Sequence, residues 1–369
     1  MVARVRAAGA IIVGKTNTPA FGHKDMCDNL LQPATRNPWH LGRTSGASSG
    51  GSAAAVAAGF VPLAHGTDGA GSIIIPAALC GIYGFKPSFG RVPMWPGRGY
   101  VGHRSHPGPL ARSVRGAALF LSALAGPDPR DPLSIDAPPD DYLAACDGDL
   151  RGLRIGWAPT FGMEAIDPEV RQCTEAAARR FEELGARLEL AEPTWEDPAP
   201  WHAVLYRAGI AARYSHQLRE RPEWVDPSFA LLIELGQRIS ARELLAAQGA
   251  RTSFYDQARR FMDRFDLLLT PTMPCGAWSH ERPAGEIAGR PITTVPGGRW
   301  PFMFPFNLTG WPAATVPCGF TSEGLPVGLQ IVAPWHQDSR CLRASAAFEA
   351  LQPWADRRPP LDQAATAPA

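Results

Sequence analysis

Apolar positions along the chain fall into short runs separated by glycine, proline and small polar residues. Val2 to Gly9 reads as the end of a helix and Ala10 to Gly14 as a short buried strand. Ser52 to Ala58 is alanine-rich and stops at Gly59, which predicts a short helix with a glycine at its C-terminus. Val61 to Gly66, Gly81 to Phe85 and Leu153 to Ala158 read as strands. Asp167-Pro168 opens a helix whose apolar face is Val170, Cys173, Ala177, Phe181 and Leu184, with Gly185 as its stop. Residues 199–265 read as mostly helical. Strands follow at Asp266 to Leu269, Ala313 to Pro317 and Pro326 to Ala333, then a helix from Asp338 to Leu351. Strands and helices mix without strict alternation, so the expected fold class is α/β, a mixed central β-sheet flanked by helices. One domain is expected over residues 1–362, with an Ala/Pro-rich disordered tail at 363–369.

Composition supports a globular chain with a sizeable core: 369 residues, 45% hydrophobic and 19% charged. The formal net charge of +1 gives no global attraction to nucleic acid or to an anionic membrane. No apolar run is long enough to span a bilayer, and Met1 to Ala10 lacks a signal-peptide pattern, so a cytoplasmic location is expected. The seven cysteines are scattered and never form a C-x-x-C pair, which suggests neither a disulfide framework nor a zinc site. Metals and cofactors are not expected. The only lysines are Lys15, Lys24 and Lys86.

One stretch departs from the ordinary pattern. Thr44-Ser45-Gly46-Ala47-Ser48-Ser49-Gly50-Gly51-Ser52 supplies hydroxyls that can donate, accept or attack, on a backbone that can approach a ligand closely. A flexible linker has the same composition, but a helix and a strand follow at once. The second piece is Gly66-Thr67-Asp68-Gly69-Ala70-Gly71-Ser72. A serine at the end of a glycine turn is well placed for exposure above a sheet. The N–H groups of Gly69, Ala70, Gly71 and Ser72 are candidates for an oxyanion hole, and Asp68 for orienting the turn. Ser49 is a further candidate for contact with substrate.

Taken together the two pieces are far more specific. From Thr35-Arg36-Asn37-Pro38-Trp39 through Pro87 the chain resembles the amidase signature family. The matching motifs are Gly46 through Gly59, Gly66 through Ile73, and Pro76-Ala77-Ala78, and the offset 72 − 48 = 24 between the key serines is that of the family. Gly14-Lys15-Thr16-Asn17, Leu267 to Thr272, Pro305-Phe306-Asn307 and Gly324 to Val332 extend the resemblance over nearly the whole chain.

The resemblance implies a Ser–cis-Ser–Lys triad. Ser72 would attack an amide carbonyl and form an acyl-enzyme. Ser48, in a cis peptide, would relay the proton, and water would then hydrolyse the ester. The family's triad lysine lies in a Lys-Asp motif at a position that would fall ahead of Met1. Lys24-Asp25 is only 48 − 24 = 24 residues before Ser48, in a different segment, and Lys15 and Lys86 match other motifs. A lysine-bearing segment encoded upstream of Met1 is therefore expected. Two further departures concern the turn. Ala70 stands where glycine is common, which keeps its N–H usable if φ is negative. Ile74 replaces an arginine, so Asp68 is expected to be less firmly held.

Other chemistries fit worse. Gly46-Ala47-Ser48-Ser49-Gly50 satisfies G-x-S-x-G, but no buried strand precedes it. Gly9 to Thr16 spells a phosphate-loop pattern, yet Asn17-Thr18-Pro19 stands where a helix should run on. His65 and His103 have no evident orienting carboxylate. The expected partner is a small-molecule amide, with residues 90–110 and 195–305 setting specificity. A homodimer is one assembly left open. The alternative readings are a non-catalytic relative, or a glutamine amidase acting with partner chains, as the glutamine-hydrolysing chain of tRNA amidotransferases does.

Overall fold

The computed structural model describes residues 1–96, 105–292 and 300–361. The expected disordered tail and His103 lie outside these. In chain order the elements begin with α1 (Val2–Ala7), β1 (Arg36–Asn37), β2 (His40–Thr44), α2 (Gly50–Ala57), β3 (Leu63–Asp68), α3 (Ile74–Leu79), β4 (Tyr83–Lys86) and β5 (His106–Ala111). The middle of the chain forms α4 (Val114–Leu124), α5 (Tyr142–Ala145), β6 (Arg154–Trp157), α6 (Pro168–Glu183) and β7 (Arg187–Leu190). Three helices follow, α7 (Ala199–Glu220), α8 (Pro227–Gln237) and α9 (Ala241–Met262). The last part contains β8 (Leu267–Pro271), β9 (Glu286–Ile287), β10 (Arg290–Pro291), α10 (Phe304–Leu308), β11 (Ala313–Phe320), β12 (Pro326–Val332) and α11 (Asp338–Leu351).

Eight strands form one sheet in the order β3-β5-β4-β11-β12-β8-β6-β7. Pairing is antiparallel from β3 to β8 and parallel across β8-β6-β7. The mixed sheet flanked by helices is the fold class expected from the sequence. β12 is buried at every position. A strand covered on both faces has no reason to alternate, which is why Pro326 to Val332 reads as an almost continuous apolar run. α6 is held in the way its sequence predicts. The Asp167 carboxylate caps Glu169 and Val170, Pro168 opens the first turn, and Val170, Thr174, Ala177, Ala178 and Phe181 turn to the core. α7 and α8 enclose a small hydrophobic cluster of their own, built on Ile210, Val225, Phe229, Leu232 and Ile233. No helix among the described residues is long and apolar enough to cross a membrane.

Two stretches correct the sequence reading. Ala10 to Gly14 is not a strand, and Ile11 is 89% exposed. An apolar run becomes a strand only where a neighbour supplies hydrogen bonds, and no described strand pairs with this one. Residues 106–124, without assignment from sequence apart from the specificity loop placed at 90–110, form β5 and α4. Pro107 and Pro109 hide the strand. β5 pairs with β3 along its length but with β4 only at Leu110 and Ala111, so both prolines sit where the second ladder has ended.

Candidate active site

The serine loop lies between β2 and α2, and the chain fixes it from both sides. Asn37 is fully buried and donates its amide to the carbonyls of Thr44 (3.1 Å) and Leu79 (2.7 Å), pinning the loop to the end of α3. Thr44 Oγ1 accepts from the Gly46 N–H at 3.1 Å, and Ser45 Oγ donates to the Thr35 carbonyl at 3.0 Å. The Ala47–Ser48 peptide bond is cis. Ser48 is 8% exposed.

The second loop runs from the end of β3 into α3, and Asp68 organises it. This carboxylate is fully buried. Oδ1 accepts from the Gly71 N–H at 2.7 Å, and Oδ2 accepts from Ile73 (2.7 Å) and Ile74 (3.3 Å). The orienting role expected of Asp68 is thus present in the geometry. With Ile74 in place of arginine, other side chains reach Asp68. Asn307, from α10, donates its amide to both the carbonyl and Oδ1 of Asp68 at 2.9 Å, and His106 Nδ1 stands 3.2 Å from the same carbonyl. Ile74 instead buries its side chain in the core.

Gly71 has φ +110°, and a Cβ there would lie 2.8 Å from Ile75 Cδ1 and Met303 Cγ. Only glycine fits this position without displacing neighbours. Ala70 is not among the residues with positive φ, so its N–H keeps an ordinary orientation. The Gly71 N–H, one of the four expected oxyanion donors, is instead directed at Asp68 Oδ1. The two loops meet where the Ser49 N–H donates to the Ser72 carbonyl at 3.1 Å. Ser49 Oγ also lies 3.3 Å from the Thr67 N–H it accepts. Ser48, Ser49, Gly69, Ala70, Gly71 and Ser72, singled out from sequence, are therefore on two loops bonded to each other.

None of the three lysines hydrogen-bonds either key serine among the described residues. Lys15 is exposed. Lys24 Nζ donates to Asp28 (2.6 Å) and Asp226 (2.8 Å). Burial works against the charge on Lys24, but these two carboxylates outweigh it and raise its pKa. Lys86 is buried and donates to the carbonyls of Phe306 and Trp311. Burial pushes Lys86 down to about 8, against the pull of Asp68 and Asp338. His65 is pushed down to about 4 by burial and by the chain's positive N-terminus. No group of three His, Cys, Asp or Glu residues that could hold a metal occurs among the described residues. Sequence reasoning missed Asn307 as a support of the turn, although Pro305-Phe306-Asn307 was visible as a motif.

The family model for amidases matches residues 1–342. The chain belongs to the amidase signature family. It is an amide-hydrolysing enzyme by that membership. The amidase is 40% identical over 363 residues to an acylamidase of Rhodococcus erythropolis, covering 97% of this chain and 76% of that protein. It is 36% identical over 388 residues to the A-type chain of glutamyl-tRNA(Gln) amidotransferase from Chloroflexus aggregans, covering 99% and 78%. Among solved structures, a bacterial aryl acylamidase of the amidase signature family superposes with a TM-score of 0.89 at 33% identity, covering 100% of this chain and 77% of that one. A 6-aminohexanoate cyclic dimer hydrolase complexed with substrate gives 0.86 at 32% identity, covering 98% and 79%.

Proposed function

We propose that the amidase hydrolyses a small-molecule carboxylic amide through an acyl-enzyme on Ser72, with Ser48 relaying the proton. The Ser72 oxygen attacks the carbonyl carbon as its proton passes to the Ser48 oxygen and the Ser48 proton passes on to the nitrogen that will leave. The tetrahedral oxyanion is met by the N–H groups of Gly69, Ala70 and Ser72, fixed in place by Asp68 before the charge develops. Collapse breaks the C–N bond and expels the protonated amine, and water then attacks the ester, giving one proton back to Ser72 through Ser48 as the carboxylate leaves. The observation that carries the reading is the Ser49-to-Ser72 hydrogen bond at 3.1 Å, which binds the cis-serine loop to the nucleophile turn. The triad lysine of the family has no counterpart in Lys15, Lys24 or Lys86, since Lys24 and Lys86 are committed to other partners and Lys15 points to solvent.

The 36% identity to a glutamyl-tRNA(Gln) amidotransferase chain favours a second reading, glutamine as the amide and partner chains as the recipients of its ammonia. One experiment separates the two. Purified protein is given an aryl acetamide such as 4-nitroacetanilide, or glutamine, and released nitroaniline or ammonia is followed beside intact-mass spectrometry of acid-quenched protein. An acyl adduct from the aryl amide on wild type, absent in Ser72→Ala, supports the first reading. Turnover that survives in Ser72→Ala overturns the nucleophile assignment, and turnover of glutamine alone favours the second reading.

A further inference from the structure

The segment from Ala20 to Asp28 borders the serine loop. Gly22 has φ +70°, and a Cβ placed on it would lie 3.2 Å from Ser48 Oγ and 3.5 Å from Ser48 Cβ. The backbone of Gly22 is thus the wall against which the Ser48 side chain packs. That wall is fastened to the α7–α8 helices, while further along the segment Trp300 Nε1 donates to Asp25 Oδ2 at 3.0 Å and the Thr35 N–H to the Cys27 carbonyl at 2.8 Å. Lys24 Nζ reaches Asp226 Oδ2 at 2.8 Å and Asp28 Oδ2 at 2.6 Å. His23 Nδ1 is 2.6 Å from the Ala20 carbonyl, and its Nε2 is 2.6 Å from Ser228 Oγ, which donates to Asp226 Oδ1 at 2.5 Å. Tyr206, on α7, donates its hydroxyl to the His23 carbonyl at 3.3 Å. The Phe21 ring packs 4.5 Å from Tyr214 and 4.8 Å from Phe229, so the apolar side of the segment joins the cluster inside the helical pair.

Asp226 is the common point of this fastening. It caps α8 through the Ser228 N–H at 2.9 Å, and it is 7% exposed. Burial alone would push its carboxyl up, but hydrogen bonds from Lys24 and Ser228 outweigh this and bring it down to about 2. A charged carboxylate so placed holds two residues flanking the Gly22 wall, His23 through Ser228 and Lys24 directly.

We propose that Asp226 is a positioning residue for amide hydrolysis: from the start of α8 it clamps the segment that carries Gly22 and so holds the wall behind Ser48. The inference rests on the reading of Ser48 as proton relay. Its physical content is a distance. A relay hydroxyl works only while it is aimed at its neighbour, and a displacement of about 1 Å costs on the order of a hundredfold in rate. Releasing the clamp lets Gly22 withdraw, and Ser48 gains rotamers and water that the closed wall denies it.

The test uses Lys24→Met, which cuts the direct leg of the clamp without touching the α8 cap, Lys24→Arg, which restores a donor, and Asp226→Asn, which weakens both legs. Turnover of 4-nitroacetanilide is resolved into kcat and KM, and amide hydrogen exchange is followed over residues 20–28, 44–50 and 222–232. Lys24→Met and Asp226→Asn are expected to lower kcat roughly ten- to a hundredfold with KM within about twofold, and Lys24→Arg to recover most of the loss. Exchange at 44–50 is expected to accelerate in the two impaired variants and not in Lys24→Arg. If exchange quickens only at 20–28 and 222–232, or if the kcat of an active wild type is unchanged in the variants, the clamp merely holds the helices and the inference is overturned. The exchange readout needs no turnover, so it decides the matter even where Ser72→Ala and wild type prove equally inactive, a result that would count against the proposed function and not against the clamp.

Discussion

The side-chain amide of Asn307 donates to both the backbone carbonyl and Oδ1 of Asp68, each at 2.9 Å, across 239 residues of sequence. One planar group thereby fixes where β3 ends and how its last carboxylate faces the following turn. The three backbone N–H groups on that carboxylate then set the path from Gly69 to Ile74.

Asp68→Asn is expected to damage both folding and chemistry. Half of the carboxylate's acceptor capacity becomes an amide N–H₂ that faces backbone donors in a dry site. The loss of charge-assisted bonds there costs about 3 kcal/mol. Urea denaturation should show a lower midpoint at unchanged slope, and the acyl adduct on Ser72 should be lost in mass spectra of the folded protein. Wild-type stability in this variant would contradict the account of the turn.

Gly71→Ala tests the same turn from its backbone. The new Cβ would meet Ile75 and Met303 at 2.8 Å, in a region of φ that L-residues rarely adopt. A destabilisation of roughly 2 kcal/mol is expected, with Ser72 acylation falling further than stability does. A crystal structure of the variant would show the turn displaced; an unmoved turn with full acylation would refute the argument.

Acid should weaken the fold through His65. Its folded pKa lies at about 4 against 6.5 for the free side chain, so below 6.5 the unfolded chain takes up a proton that the folded chain refuses. Stability is complete above 6.5 and declines as pH falls toward 4, by up to about 3 kcal/mol from this group. His65→Gln should flatten that part of the profile of melting temperature against pH. An identical slope in wild type and variant would exclude His65 as the source.

Lys86 should act at the alkaline end. With its pKa at about 8 in the folded protein and 10.5 when free, the unfolded chain holds the extra proton between these values, so stability rises with pH across the window. The difference between wild type and Lys86→Met isolates this group from the cysteines and tyrosines that also titrate there. That difference should grow with pH from 8 to 10.5. The variant should also be less stable at pH 7, because the carbonyls of Phe306 and Trp311 lose their donor.

Local signals were legible wherever one segment carries its own reason to fold. Asp338 to Leu351 is helical over the span its pattern predicts, and α6 has the proline start and the glycine stop at Gly185 that its sequence announces. The serine pair was legible because spacing and glycine content belong to two short neighbouring segments. What surrounds them was not. Asn307 reaches Asp68 and Lys24 reaches Asp226 only through the packing of distant elements, and no periodicity encodes such a pairing. Ala10 to Gly14 misled for the converse reason: its residues are those of a strand, but the hydrogen-bonding partner that makes a strand is a property of the neighbours.

The order of the sheet bears on how this chain is made. During synthesis β3, β4 and β5 emerge before β6, β7 and β8, as two half-sheets that share no ladder. The pair that joins them, β11 and β12, leaves the ribosome after both halves. Until then β4 and β8 present open edges, and strands waiting for a distant partner are exposed to pairing with other chains. The nascent amidase therefore depends on protection of these edges, and a stop codon before residue 313 would leave two sticky halves in place of a smaller enzyme.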